Sequence, residues 1–350
     1  MERPVAIRGL STQTAPYDLP QDIVGRRAQE VLGPRYPQFA RLLSTFASAG
    51  IERRQSVVPF EWFNDRSVGW AERNRAWHDG CLALFRAAAT RALDEAGWHG
   101  SDVDVVVTVS STGIATPTLE AVAADELGLR ADVLRVPVFG LGCAGGASGL
   151  SIAAQLARGA PGSKVLLVVV EACTTSFRTD RLQKADIIAT VLFGDGAAAA
   201  CLTTGDGAMT CAPGAQHRWS DTLDIMGWDV DDEGLGVIFD RSIPDFAARH
   251  MADARDAAFA AMGRKRDDVD RLICHPGGAK VIAALETALE LGQGALDLER
   301  DVLRRHGNMS APTVLFVLDA ARRTGVTGRC MTTALGPGFS AAFTPVEFAA

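Results

Sequence analysis

Three things are missing from this sequence, and each absence excludes a class. There is no positive excess: 35 Lys and Arg stand against 42 Asp and Glu, a formal charge of −7. No global basic field attracts nucleic acid or an anionic lipid surface, so neither partner is expected. An anionic substrate would need a local basic patch. There is no long hydrophobic run either. Nothing approaches the roughly 20 apolar residues of a membrane helix, so no membrane insertion is expected. The opening MERPVAIRGLS lacks the charged-then-apolar pattern of a leader. Finally, there is no cysteine pairing pattern. Cys81, Cys143, Cys173, Cys201, Cys211, Cys274 and Cys330 are scattered and odd in number, with no CxxC. Neither a disulfide framework nor a zinc site is indicated, no metal is expected, and a reducing cytoplasm fits. For six of the seven, the ordinary role is that of a small buried hydrophobe.

What is present is material for a large core. Of 350 residues, 47% are hydrophobic, and that length suggests about two domains or halves. In the mixed first 80 residues, RYPQFARLLSTFASAGIERR reads as a helix ending near Gly50. The pattern then becomes regular. CLALFRAAATRALDEAG (81–97) reads as a helix with a glycine stop. VDVVVTVSS (103–111) is continuous, β-branched and too short for a helix, hence a buried strand. TPTLEAVAADELG and GLSIAAQLARG read as helices, and KVLLVVVEA (164–172) as a strand. Helices alternating with apolar strands imply a layered α/β fold.

A repeat lies within this alternation. RALDEAGWHGSDVDVVV (91–107) lays over AAFAAMGRKRDDVDRLI (257–273) at an offset of 166. Gly97 then meets Gly263, Asp102 meets Asp268, and Asp104 meets Asp270. At nearly the same offset, CAGGASGLSIAAQLARG meets NMSAPTVLFVLDAARRTG. Both are small-residue turns read as opening a helix. The chain therefore divides into halves, 1–206 and 207–350, with Cys143 and Asn308 at near-equivalent places. A pseudo-twofold axis would bring those two turns face to face.

The turn VFGLGCAGGASGLSIAAQLA (138–157) admits two functional readings. Gly140, Gly142 and Gly145 spell GxGxxG between a strand and a helix, and Glu171 ends the next strand. On paper that is a dinucleotide-binding fingerprint and would make the chain a nucleotide-binding oxidoreductase. The other reading starts from the thiol. A cysteine at a helix N-terminus meets unpaired N–H groups and the positive end of the dipole, which favour the thiolate. Such a nucleophile needs a base or ion-pair partner. Of six histidines, His275 stands out, because LICHPGGAK places it at the end of a buried strand, where α/β folds present functional groups. His306 sits among arginines and reads as structural. Asn308 reads as opening an apolar helix, where an N-cap is its ordinary role.

Cys143, His275 and Asn308, with their surroundings, resemble the type III polyketide synthases, the chalcone and stilbene synthase family. GLGCAGG resembles the nucleophile turn, and LFGDGAAA (192–199) a segment carrying a pocket phenylalanine, here Phe193. HPGG (275–278), GNMS (307–310) and GPGFS (336–340) resemble three further motifs, in the family's order. Related initiating-type ketoacyl-acyl-carrier synthases follow the histidine with Gln-Ala-Asn, where this chain has Pro-Gly-Gly. The resemblance implies a thiolase-like, duplicated αβαβα fold and a homodimer. It implies that Cys143 carries an acyl starter taken from acyl-CoA, with His275 as imidazolium partner of its thiolate. Malonyl-CoA would be decarboxylated to an enolate held by His275 and Asn308, and the product cyclised. CoA thioesters are the substrates, and no metal, flavin or nicotinamide cofactor is implied.

The remaining positions carry the family's pocket with departures. Ser310 and Gly338 fall in matching motifs. Val237 stands where aromatic-starter members have a second phenylalanine, and Thr116 where a methionine reaches across the dimer. Cys173 and Ser176 stand where threonines are common. The smaller side chains imply a longer apolar tunnel and a fatty acyl starter, giving a pyrone or phenolic product. Two alternatives stay open: other bulky residues fill the space, with Trp228 and Phe239 nearby in sequence, or malonyl-CoA itself is the starter, as in family members that make small phenolics. Arg41, Arg53 and Arg54 are the local candidates for the CoA phosphates.

Overall fold

The computed structural model describes residues 4–34, 36, 39–64, 68–178 and 183–349, except for the side chains at 40–42 and 64. The repeat is present in it element for element. The helices Trp70–Ala96 and Ile243–Ala261 are each followed by a left-handed glycine, Gly97 at φ 66° and Gly263 at φ 65°. A short 3-10 turn follows in each half, Gly100–Asp102 and Arg266–Asp268. In the first, Asp102 accepts from the His99 amide at 2.9 Å; in the second, Asp268 accepts from the Lys265 amide at 2.7 Å. The second aspartate of each D-V-D then fixes the start of the neighbouring strand. Asp104 accepts from the Lys164 amide and Asp270 from the Arg329 amide, both at 2.8 Å. Carboxylates bonded to backbone N–H groups explain why an aspartate is needed twice in each turn.

Ten strands form one sheet path. Its order is Arg271–Cys274, Gly328–Gly336, Ser340–Phe348, Met209–Cys211, Val5–Thr14, Asp195–Thr204, Val165–Ala172, Val105–Val109 and Leu134–Val138, with Ala215–Arg218 paired to Ser340–Phe348. Val105–Val109 runs parallel to both its neighbours, as does Arg271–Cys274 to Gly328–Gly336. The short strand Met209–Cys211 joins the two halves.

Layering follows from the period of two in the strands. Val106, Leu166 and Val168 face Trp77, Phe85 and Ala89 of the long first helix. Val105, Val107, Val109 and Leu167 face the opposite way. There they meet Leu150 and Ala154 of the helix Gly145–Gly159, and Val314 and Leu318 of the helix Thr313–Arg323. Ile273, Cys330 and Val346 close on the same two helices from the second half. Leu272, Cys274, Met331 and Phe343 point outward again, onto Met251 and Phe259 of Ile243–Ala261 and Ile282 and Leu285 of Ala279–Ala288. The result is helix, sheet, helix, sheet, helix, the expected duplicated αβαβα arrangement. Among the described residues no helix is long and apolar enough to cross a membrane.

Two local expectations are corrected. The segment after Pro117 is helical only over Leu119–Ala123. Asn308 opens no helix, since that helix begins at Thr313 with Pro312 as its cap.

Candidate active site

Cys143 sits in a 3-10 turn, Gly142–Ala144, that runs directly into the helix Gly145–Gly159. The glycines serve protein packing. Gly142 has φ 47°, and a Cβ there would lie 2.7 Å from Pro337 Cδ. Glu171 is fully buried; it accepts from the Ser111 amide and from the Thr112 hydroxyl at 2.7 Å. A ribose cannot reach it, and the dinucleotide reading of Gly140, Gly142, Gly145 and Glu171 fails. The turn is held instead by Ser111, whose Oγ accepts from the amides of Gly140 at 3.1 Å and Gly142 at 3.3 Å.

The second half brings its turn to meet the first, as the repeat requires. Cys143 Sγ lies 4.0 Å from Asn308 Oδ1 and 3.6 Å from Ser310 Oγ. Asn308 is fixed by a two-bond bridge to Phe193 rather than by a helix. Its Oδ1 accepts from the Ser310 amide at 2.8 Å, and its Nδ2 donates to Gly277 O at 3.3 Å. His275 follows the strand Arg271–Cys274, and its amide donates to Thr333 O at 2.8 Å. Cys143, His275 and Asn308 line one cavity of about 390 Å³.

The electrostatics differ from the sequence expectation. Burial pushes the Cys143 thiol up to about 11, and burial pushes His275 down to about 3. Among the described residues, neither ring nitrogen of His275 has a hydrogen-bond partner. Each charged form loses its hydration in this closed site, and no carboxylate among the described residues bonds the imidazole to offset that loss. Burial therefore favours the neutral thiol and the neutral imidazole over the expected imidazolium–thiolate pair.

A second lobe of about 450 Å³ opens on the other side of Cys143. Phe193, Val237, Cys173 and Ser310 line it, as expected. Trp228, which pairs with Val237 across the hairpin of Met226–Asp231 and Gly234–Phe239, lines it too. Its Nε1 donates to Ser111 O at 2.8 Å, so the indole is pinned across the lobe. Ser176 is buried in the adjacent 3-10 turn Cys173–Ser176 but does not line the lobe. At Gly338 the backbone turns with φ 121°, and its neighbour Pro337 supplies the wall. Thr116 is exposed and lines neither lobe of its own protomer.

The CoA-phosphate candidates are largely displaced. Arg54 is fully buried beside Asp195, and none of its guanidinium nitrogens has a hydrogen-bond partner among the described residues. It cannot meet a phosphate in solvent, because only Arg53 of its strand, Arg53–Ser56, is exposed and positions 54 to 56 are all buried. Arg53 is exposed. The side chain of Arg41 lies outside the described residues. A separate pocket of about 1340 Å³ adjoins the site, sharing Phe239, Gly277 and Val281 with the cavity of Cys143, and its basic residues are Lys184, Arg241 and Lys280. Sequence reasoning missed them; the one signal was Lys280, two residues beyond the HPGG motif.

Comparison with known proteins agrees with this geometry. Residues 67–206 match the family profile for chalcone and stilbene synthases, N-terminal domain, and residues 213–346 the corresponding C-terminal domain. The chain is 38% identical to 1,3,6,8-tetrahydroxynaphthalene synthase of Streptomyces peucetius subsp. caesius, over 98% of this chain and 93% of that one. It is 34% identical to a putative chalcone synthase of Bacillus subtilis (strain 168), over 95% and 96%. Its fold matches the crystal structure of 1,3,6,8-tetrahydroxynaphthalene synthase from Streptomyces coelicolor A3(2), a bacterial type III polyketide synthase, with a TM-score of 0.91 at 25% identity, covering 98% and 99%.

Proposed function

Because the chain belongs to the chalcone and stilbene synthase family, and so is a type III polyketide synthase, we propose that it condenses malonyl units on Cys143 and uses malonyl-CoA as starter as well as extender. The observation that carries the chemistry is the meeting of Cys143, His275 and Asn308 on one cavity wall. A CoA thioester enters past Lys184, Arg241 and Lys280, whose charges suit its phosphates. Cys143 passes its proton to the neutral imidazole as the sulfur attacks the thioester carbonyl. The bond to CoA breaks, and CoA leaves as a thiol with the proton returned by His275. Ionisation therefore occurs only when the thioester is in place. A second malonyl-CoA loses CO2. The electron pair remains as an enolate, whose oxygen takes N–H donors from His275 and Asn308. The enolate carbon attacks the acyl thioester, and the Cys143 sulfur leaves. No metal or redox cofactor enters these steps.

The starter assignment rests on Trp228. The indole stands where the small Val237 would otherwise open a tunnel, and its bond to Ser111 O holds it there. A compact lobe suits a short starter and a small phenolic product. Val237 and Cys173 favour the other reading, a fatty acyl starter, once the indole moves aside. Incubation with malonyl-CoA alone, then with acyl-CoAs from acetyl to palmitoyl, separates the two. Aromatic product from malonyl-CoA alone supports the first; rates that climb with chain length, with no product from malonyl-CoA alone, overturn it.

We also read the protomer as half of a homodimer. Among the described residues, the edge strand Leu134–Val138 has no partner on its outer side, and Ile114, Leu134 and Phe139 beside it are each more than half exposed. A second copy would cover this face and pair the edge. Mass measurement in solution, with Phe139→Asp as the disrupting variant, tests it. All seven cysteines are unpaired, which suits a reducing compartment such as the cytoplasm.

A further inference from the structure

Asn308 is reached through a helix end, and a strand far away in sequence grips that end. The helix Asp297–His306 stops at His306, and Gly307 turns the chain at φ 66° toward Asn308. A Cβ at Gly307 would lie 2.8 Å from Leu192 O and 3.3 Å from Arg54 Cβ, so the exit is closely walled. Carbonyls in the last turn of a helix lack partners within it. Here the segment from Glu52 to Gln55 supplies them. The Glu52 amide donates to Arg304 O at 2.8 Å, and Gln55 Nε2 donates to Arg305 O at 3.3 Å. The same Nε2 donates to Asp18 Oδ1 at 3.0 Å, on the paired strand Tyr17–Pro20. Two acceptors at the nitrogen fix the orientation of this buried amide, so Oε1 is the atom that faces His306 Nδ1 at 2.9 Å. Oε1 can only accept, so Nδ1 carries a proton. Burial, with Arg305 and Arg53 nearby, pushes His306 down to about 4. The ring is therefore neutral, with its one proton on Nδ1, and it packs edge-on against Phe316 at 5.2 Å.

We propose that Gln55 and His306 are positioning residues for Asn308: the amide of one and the ring of the other hold the helix end, and with it the Asn308 side chain, in place beside Cys143. The bridge between Asn308 and Phe193 pins the backbone from one side only. On the other side His306 precedes Asn308 by two residues, and the residue between them is a glycine, the least restrained of all. Loss of the Gln55–His306 bond leaves a buried polar group without a partner, which costs free energy. The segment relieves that cost by rotating at Gly307, and Asn308 moves with it. Its Oδ1 stands 4.0 Å from Cys143 Sγ, and its N–H must come within about 3 Å of the enolate oxygen. A displacement of about 1 Å at such a group costs on the order of a hundredfold in rate. Acylation of Cys143 does not use the Asn308 donor, so the pair acts on decarboxylation and not on loading.

The proposal rests on the reading of Asn308 as an enolate donor, and the variants keep the two apart. Malonyl-CoA decarboxylation and acylation of Cys143 by acetyl-CoA are measured separately. His306→Phe keeps a ring against Phe316 and removes the N–H. Gln55→Leu keeps the volume and removes the amide's bonds, and it serves the same purpose if His306→Phe does not fold. Each should lose decarboxylation about tenfold or more and keep acylation. His306→Asn, whose amide N–H falls where the Nδ1 proton does, should retain most of the wild-type rate, which a role in ring packing alone does not predict. Added to Asn308→Ala, His306→Phe should cost nothing further, because the side chain it places is gone. Wild-type decarboxylation in a folded His306→Phe or Gln55→Leu, or an equal further loss in the Asn308→Ala background, overturns the positioning role. Unchanged decarboxylation in Asn308→Ala by itself overturns the enolate reading, and the proposal with it.

Discussion

Phe193 and Asn308 form a β-bridge across the two halves of the molecule. The Asn308 amide donates to Leu192 O at 2.8 Å, and the Gly194 amide donates to Asn308 O at 3.0 Å. One pair of hydrogen bonds thus sets both the Phe193 wall of the lobe and the position of the Asn308 side chain beside Cys143. Asn308→Ala keeps this backbone bridge and removes the side-chain donor, along with the Oδ1 that accepts from the Ser310 amide. Decarboxylation of malonyl-CoA should fall about 10²–10³-fold, the usual loss for one such donor. Acylation of Cys143 should persist. Unchanged decarboxylation would remove Asn308 from the mechanism.

The resting thiol makes a prediction of its own. With Cys143 pushed up to about 11 by burial, its alkylation in the ligand-free enzyme should be slow at neutral pH. It should climb as pH rises towards that value, because only the thiolate reacts. Peptide mapping after iodoacetamide treatment reads it. A plateau already reached at pH 7 would mean that the imidazolium–thiolate pair exists at rest.

Trp228→Ala should open the compact lobe. Each methylene then buried contributes about 0.8 kcal/mol, so four give roughly a hundredfold. Competition between acetyl-CoA and long-chain acyl-CoA should shift toward the long chain in the variant, and further growth of the product should follow. An unaltered preference would mean that the indole does not set the limit.

The two basic sites should separate kinetically. Lys280→Ala should raise KM for malonyl-CoA about tenfold, the worth of one charge-assisted contact, with kcat little changed. Arg54→Met should leave KM alone. Its effect belongs to stability, because Arg54 is enclosed beside Asp195. A raised KM in Arg54→Met with native melting behaviour would return Arg54 to the CoA site.

Glu171 gives a pH signature in stability. Burial raises it to about 7 in the folded protein, against about 4.3 in an unfolded chain. Between those values the folded state binds more protons, so stability falls as pH rises through the window. His275 and His306, lowered to about 3 and about 4 mainly by burial, act oppositely: their contribution is present above about 6.5 and is lost as pH falls. Comparing Glu171→Gln with wild type isolates the first effect. The variant's relative stability should rise from pH 5 to pH 8, by on the order of 3 kcal/mol. A difference that stays flat over that range would mean that Glu171 is ionised throughout.

Much of this molecule could be read along the chain, because the relevant interactions are local. The D-V-D turns, the glycine caps and the period-two strands each act within a few residues, so the duplication and the layers were visible. Cys143, His275 and Asn308 were visible for the same reason: each sits in a short, compositionally odd turn at the end of an apolar element. What the sequence could not decide is what those turns meet. Ser111 and Trp228 are 117 residues apart, and nothing in either segment announces the bond that shapes the lobe. Arg54 looked solvent-facing beside Arg53, but packing of the strand from position 54 to 56 left Arg53 outside and enclosed Arg54 beside Asp195. The protonation of Cys143 and His275 followed from burial, which belongs to the packed molecule alone. Sequence settles what each segment can become; desolvation and contact across the fold decide which of its groups are charged, enclosed or within reach of a substrate.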